Sequence, residues 1–123
     1  MIDHVSIGVR DIAEAKAFYD AALKPIGYSC LSSSEGSLGY GKEQVAFWIS
    51  ASPGPVPSDP QSGLHFCFDA PTRKSVAAFH AGALGAGGQD NGKPGLRADY
   101  GPKYYAAFAI DPDGYRLEAY CGK

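Results

Sequence analysis

The sequence has no long apolar run and no cluster of basic residues, and each absence removes a class of function. Eleven Lys+Arg stand against 13 Asp+Glu, for a net charge of −2. The longest basic run is Arg73-Lys74, so no surface for nucleic acid or an anionic membrane is indicated. The first residues, Met1-Ile2-Asp3-His4-Val5, have neither a basic start nor a continuous apolar stretch. They read as neither a signal peptide nor a transmembrane segment. Cysteine is scarce as well: Cys30, Cys67 and Cys121 are an odd number, and none forms a Cys-x-x-Cys pair. A reducing cytoplasm is the expected setting, and a small neutral or anionic molecule the expected partner.

Glycine and proline, by contrast, are in excess. Of the 123 residues, 16 are glycine and nine proline, well above the usual shares of about 7% and about 5%, which excludes a helical bundle. Hydrophobic residues make up 45% and charged residues 20% of the chain. That is ordinary for one globular domain, so the glycines serve turns and close packing.

Alternation over Ile2 to Val9 puts Val5, Ile7 and Val9 on one face and His4, Ser6 and Gly8 on the other, the period of a half-buried strand. Asp11 then reads as a helix N-cap, with Glu14 completing a capping box. Ile12, Ala15, Phe18, Tyr19, Ala22 and Leu23 follow at helical spacing, ended by Pro25 and Gly27. Short strands are predicted over residues 28–32, 38–41 and 45–50. Residues 51–62 carry four prolines and read as a linker.

After the linker the pattern starts again at a constant offset of 61: His4 falls on His65, Phe18 on Phe79, Ala22 on Ala83, Leu23 on Leu84 and Gly27 on Gly88. This is an internal duplication. The second half is predicted to continue with a helix capped by Thr72 and a long loop over 89–103. It closes with a hairpin, strands 104–110 and 115–121 joined by Asp111-Pro112-Asp113-Gly114.

Each repeat histidine lies on the strand face opposite the large apolar residues, beside small or polar neighbours. In the last strand Glu118 lies opposite Leu117 and Ala119, and a carboxylate there is costly to bury unless it is paired or binds a cation. His4, His65 and Glu118 therefore form a candidate two-His-one-carboxylate metal site with open positions. His80, which replaces Tyr19 on the second helix, is expected at the surface, and Cys67, on the face of His65, reads as a buried, inert thiol.

The duplicated strand-helix-strands halves, His4 within Asp3-His4-Val5, His65 opening the second half and the closing Asp111-Pro112-Asp113-Gly114-Tyr115-Arg116-Leu117-Glu118 resemble the vicinal oxygen chelate superfamily. That group includes glyoxalase I, fosfomycin-resistance thiol transferases, extradiol dioxygenases and bleomycin-binding proteins. The resemblance spans essentially the whole chain. It implies an α+β fold of two tandem βαβββ modules forming curved mixed β-sheets around a metal and substrate cavity. Module one would be residues 1–50, the linker 51–62 and module two 63–123. It also implies metal ligands at His4, His65 and Glu118, a divalent ion (Zn, Ni, Mn or Fe(II)) and a homodimer. Glyoxalase I has a fourth ligand, a glutamate on the last strand of the first half, where this chain has Trp48. The remaining triad is more similar to thiol transferases and dioxygenases.

The function so implied is a metal-dependent glyoxalase-like enzyme, of lyase, isomerase or thiol-transferase type, chelating neighbouring oxygens of a small substrate. The alternatives are a sequestering protein of the bleomycin-resistance type and an Fe(II) extradiol-type dioxygenase. Trp48 is the expected apolar wall. Arg97, Tyr100 and Lys103 from the long loop, and Tyr105 on the face of Ala107 and Ala109, are the expected substrate contacts. Whether His4 joins the site of its own chain or of a partner is open, since the linker reaches either.

Overall fold

The structure, a computed structural model, describes residues 1–55 and 59–123, so the centre of the predicted linker, 56–58, lies outside the described residues. Two modules repeat one topology. The first is β1 (Val5–Val9), α1 (Ile12–Leu23), β2 (Ser29–Ser33), β3 (Ser37–Gly41) and β4 (Val45–Ala51). The second is β5 (Phe66–Asp69), α2 (Arg73–Gly85), β6 (Gln89–Leu96), β7 (Tyr105–Ile110) and β8 (Arg116–Cys121). Each module builds one curved, unclosed sheet, in the orders β1-β4-β3-β2 and β5-β8-β7-β6, with the first and last strands of each module parallel. Among the described residues no helix is long and apolar enough to cross a membrane.

The registers of the two sheets bear out the duplication residue by residue. Val5 pairs with Phe47 and Ser6 with Trp48; Phe66 pairs with Leu117 and Cys67 with Glu118. Gly39 lies across from Trp48 as Phe108 lies across from Glu118. The helices begin as their caps predict. The Asp11 carboxylate accepts from the Glu14 N–H at 3.1 Å. The reciprocal capping box expected at α1 is complete at α2 instead, where Thr72 and Ser75 exchange bonds.

Phe18 and Phe79 are both fully buried at equivalent helix positions. One continuous core joins the modules, with Phe47 against Phe68 at 5.3 Å and Tyr28 against Phe68 at 5.7 Å between ring centroids. The helices pack on each other, and Gly82 permits it: a Cβ there would collide with the Ala21 carbonyl oxygen. The left-handed residue after α2 is Gly87, at φ +97°, whereas Gly88, which the offset sets against Gly27, is packed tightly against Phe18. The offset of 61 slips by one here because α2 ends without the 3-10 turn, Lys24–Ile26, that follows α1.

A polar clamp also ties the modules together. The Tyr19 hydroxyl donates to Asp111 Oδ2 at 2.5 Å, while Asp111 Oδ1 accepts the N–H groups of Asp113 and Tyr115. Arg10 holds Asp113 at 3.0 Å, and the Tyr115 hydroxyl donates to the Gly8 carbonyl at 2.7 Å.

The predicted loop over 89–103 is largely strand. β6 occupies its first half, at the edge of the second sheet, with register shifts between Asp90 and Gly92 and between Gly92 and Gly95. Its glycines and Pro94 hid the strand, because such residues are tolerated at an irregular edge though not in a sheet centre. His80 is also not at the surface: it is nearly buried, and its Nε2 lies 2.9 Å from Asp90 Oδ1. That bond, with the Gly92 N–H, holds the Asp90 carboxyl below its ordinary range.

Candidate functional site

Each sheet packs one face on the helices and turns the other outward. In the second sheet Leu117, Ala119, Ala107 and Ala109 belong to the core. Glu118 on β8 and Phe108 on β7 are paired across the sheet and therefore share the opposite face. On that face lies a cavity of about 650 Å³ lined by His65, Tyr100, Tyr104, Phe108, Arg116 and Glu118, among others.

Its centre is the Glu118 carboxylate, 3% exposed. Both oxygens are engaged. Oε1 lies 3.1 Å from His65 Nε2, and Oε2 accepts the Tyr104 hydroxyl at 2.5 Å. Desolvation, and then the bond to Glu118, push the Tyr104 phenol well above its ordinary range, so it stays protonated and donates. The Tyr104 ring contacts those of Tyr100 and Tyr120, with centroid separations of 5.2 and 4.2 Å. Cys67, beside Glu118 across the parallel pair, has its thiol pushed up to about 12 by desolvation and by the neighbouring carboxylate. The residue is exposed at the surface where burial was expected, yet the raised value keeps it a thiol at neutral pH.

The structure brings together two of the three residues expected to hold a metal. His65 and Glu118 converge; His4, which opens the equivalent strand of module one, is exposed and bonded to Asp3 at 2.8 Å. Among the described residues no three His, Cys, Asp or Glu side chains are grouped to hold an ion. The donor pair does suit one: bonds of about 2.0 to 2.2 Å at angles of about 90° to 109° set neighbouring ligand atoms about 2.8 to 3.6 Å apart, and His65 and Glu118 are 3.1 Å apart.

Of the predicted substrate contacts, Tyr100 lines the cavity. Arg97 does not line it but lies against Phe108, which does, with its guanidinium 5.4 Å from the ring centroid. Lys103 is exposed outside the cavity lining, and Trp48 is half-buried on the outward face of the first sheet. Tyr105 is a correction. It shares the core face with Ala107 and Ala109, under the Arg73 guanidinium at 5.3 Å. The two alanines are small because α2 packs on them. The cavity residues of this segment are its neighbours of opposite parity, Tyr104 and Phe108. Counting back from the Asp111–Gly114 turn would have found Phe108, which antiparallel pairing sets across from Glu118.

The likeness to solved structures runs over the whole chain. A glyoxalase/bleomycin resistance protein from Albidiferax ferrireducens T118 is 29% identical, with a TM-score of 0.81 over 96% of this chain and 95% of that one. A glyoxalase/bleomycin resistance protein/dioxygenase family enzyme from Burkholderia phytofirmans PsJN is 18% identical, with a TM-score of 0.72 over 99% and 98%. The genomically encoded fosfomycin resistance protein FosX from Listeria monocytogenes is 14% identical, with a TM-score of 0.71 over 100% and 93%. No protein-family profile and no curated protein sequence matches the chain. These structural neighbours are glyoxalase/bleomycin resistance/dioxygenase family proteins, of the vicinal oxygen chelate superfamily, and this chain shares their fold.

Proposed function

We propose that the chain is a metal-dependent, glyoxalase-like enzyme of lyase, isomerase or thiol-transferase type acting on a small molecule with two neighbouring oxygens. The observation that carries this reading is the His65–Glu118 pair, 3.1 Å apart at a cavity on the outward face of the second sheet. His65 and Glu118 would hold a divalent ion, Zn, Ni, Mn or Fe(II). His4 of a second copy would be the third ligand, in a homodimer whose first sheet covers this cavity and brings Trp48 over it.

An ion held there would supply Lewis-acid polarisation of a substrate oxygen. The chain's own groups do the rest. Tyr104 fixes the Glu118 carboxylate by donating to Oε2, the outer-shell role that orients a ligating carboxylate. Once covered by the second copy, the aromatic walls would exclude water, which strengthens each polar contact within.

The test is metal uptake by protein purified without a metal-chelating tag. About one equivalent per chain, lost in His65→Ala and Glu118→Gln, supports the reading. Less than about a tenth of an equivalent of Zn, Ni, Mn or Fe(II) overturns it. One observation favours a sequestering protein instead: both Glu118 oxygens already have partners in the chain. In that case Glu118→Gln leaves ligand binding nearly unchanged.

A further inference from the structure

The duplication allows the two outward faces to be compared position by position. Where the second sheet has Glu118, Arg116 and Phe108, the first has Trp48, Ala46 and Gly39. The outward cation therefore belongs to the second module only, and beside its carboxylate stands Phe108 where the first sheet has Gly39 beside Trp48. Neither is needed to hold an ion.

Their placement is regular. Arg116 and Glu118 are two residues apart on one strand, so they point to the same face with about 6.6 to 6.8 Å between them. Phe108 lies directly across from Glu118 and diagonal to Arg116. The Arg97 guanidinium lies over this ring at 5.4 Å from its centroid, and its Nη2 donates to the Lys93 carbonyl at 2.6 Å. Tyr100 and Tyr104 add two more rings to the wall.

We propose that the cavity selects a flat aromatic monocarboxylate, its ring on Phe108 and Tyr104, its carboxylate at Arg116 and its opposite, oxygen-bearing end at His65 and Glu118. A para-substituted benzoate spans that separation. The guanidinium offers paired donors matched to a carboxylate. Three aromatic rings favour a planar partner over an aliphatic one. The negative charge of Glu118 two residues away opposes a dianion more than a monoanion. This assignment rests on the reading of the same face as the small-molecule site.

Calorimetric titration of the whole chain tests it, with and without Zn²⁺, using 4-hydroxybenzoate, 4-hydroxybenzamide, 4-hydroxycyclohexanecarboxylate and phenylphosphonate as probes. The benzoate binds about tenfold more tightly than the amide, the scale of one charge-assisted hydrogen bond. It also binds more tightly than the cyclohexane acid and the phosphonate. Arg116→Gln abolishes the preference for acid over amide while leaving the amide's affinity in place, and Arg116→Lys restores part of it. Phe108→Leu erases the preference for the aromatic over the cyclohexane acid. Equal affinity for acid and amide, or an acid preference that survives Arg116→Gln, overturns the proposal. Acid preference without metal uptake overturns the enzyme reading and leaves this one standing; metal uptake without acid preference does the reverse.

Discussion

Asp111 sits in the clamp between the modules, 4% exposed, and its carboxyl is pushed up to about 6 from an ordinary 3.8. Burial is the main cause, opposed by the Tyr19 hydroxyl and the backbone N–H groups of Tyr115 and Asp113, while the charge of Asp113 adds to the rise. The folded protein therefore holds this proton more tightly than the unfolded chain does. The stability it confers is complete below about pH 3.8, falls as the pH rises toward about 6 and is gone above that. A shift of that size corresponds to about 3 kcal/mol. Asp111→Asn keeps an acceptor for the two backbone N–H groups and offers an amide to Tyr19, so it removes the titration while leaving the turn in place. Urea unfolding followed by the fluorescence of Trp48, the single tryptophan, should be compared for the two proteins between about pH 3.5 and 7.5. Subtracting the variant cancels the other carboxylates, and wild-type stability should decline relative to Asp111→Asn by about 3 kcal/mol across that range. A flat difference, or one that rises with pH, refutes the reasoning.

Three further outcomes are expected. Tyr104→Phe, which frees Glu118 Oε2, lowers metal affinity about tenfold in competition with a chromophoric chelator; unchanged affinity shows that the hydroxyl does not position the ligand. Mixing His4→Ala with Glu118→Gln chains restores metal uptake to about a quarter of the wild-type sites if each site draws on two copies, through random pairing of subunits. No recovery after refolding together excludes a shared site. Gly82→Ala forces α1 and α2 apart at the Ala21 carbonyl and destabilises the protein by about 1 to 3 kcal/mol, read as a lower Tm; an unaltered Tm means that the helices have room to spare.

The repeat was legible because it is written in residues with strong local signals: alternating strands, capped helices, and histidines at one offset. The convergence of His65 and Glu118 was legible too, since strand parity put both on the face away from the helices. Parity failed for Tyr105 because Ala107 and Ala109 look like a pocket floor and are in fact the seat of α2. His80 was misplaced because a helical histidine reads as solvated until its partner Asp90, on the following strand, is seen. The Tyr19–Asp111 bond joins residues 92 positions apart, beyond the reach of any local pattern. The slip from Gly88 to Gly87 has a similar origin, in how the two helices end.

Edge strand β6 carries Pro94, Lys93 and two breaks of register within eight residues. Its outer rim therefore offers no regular row of donors and acceptors to a strand from another molecule. The same irregularity that concealed it in the sequence is a solubility device. Restoring regular β-forming residues at Gly92, Pro94 and Gly95 would strengthen the strand and open the second sheet to growth by stacking end to end with its own copies.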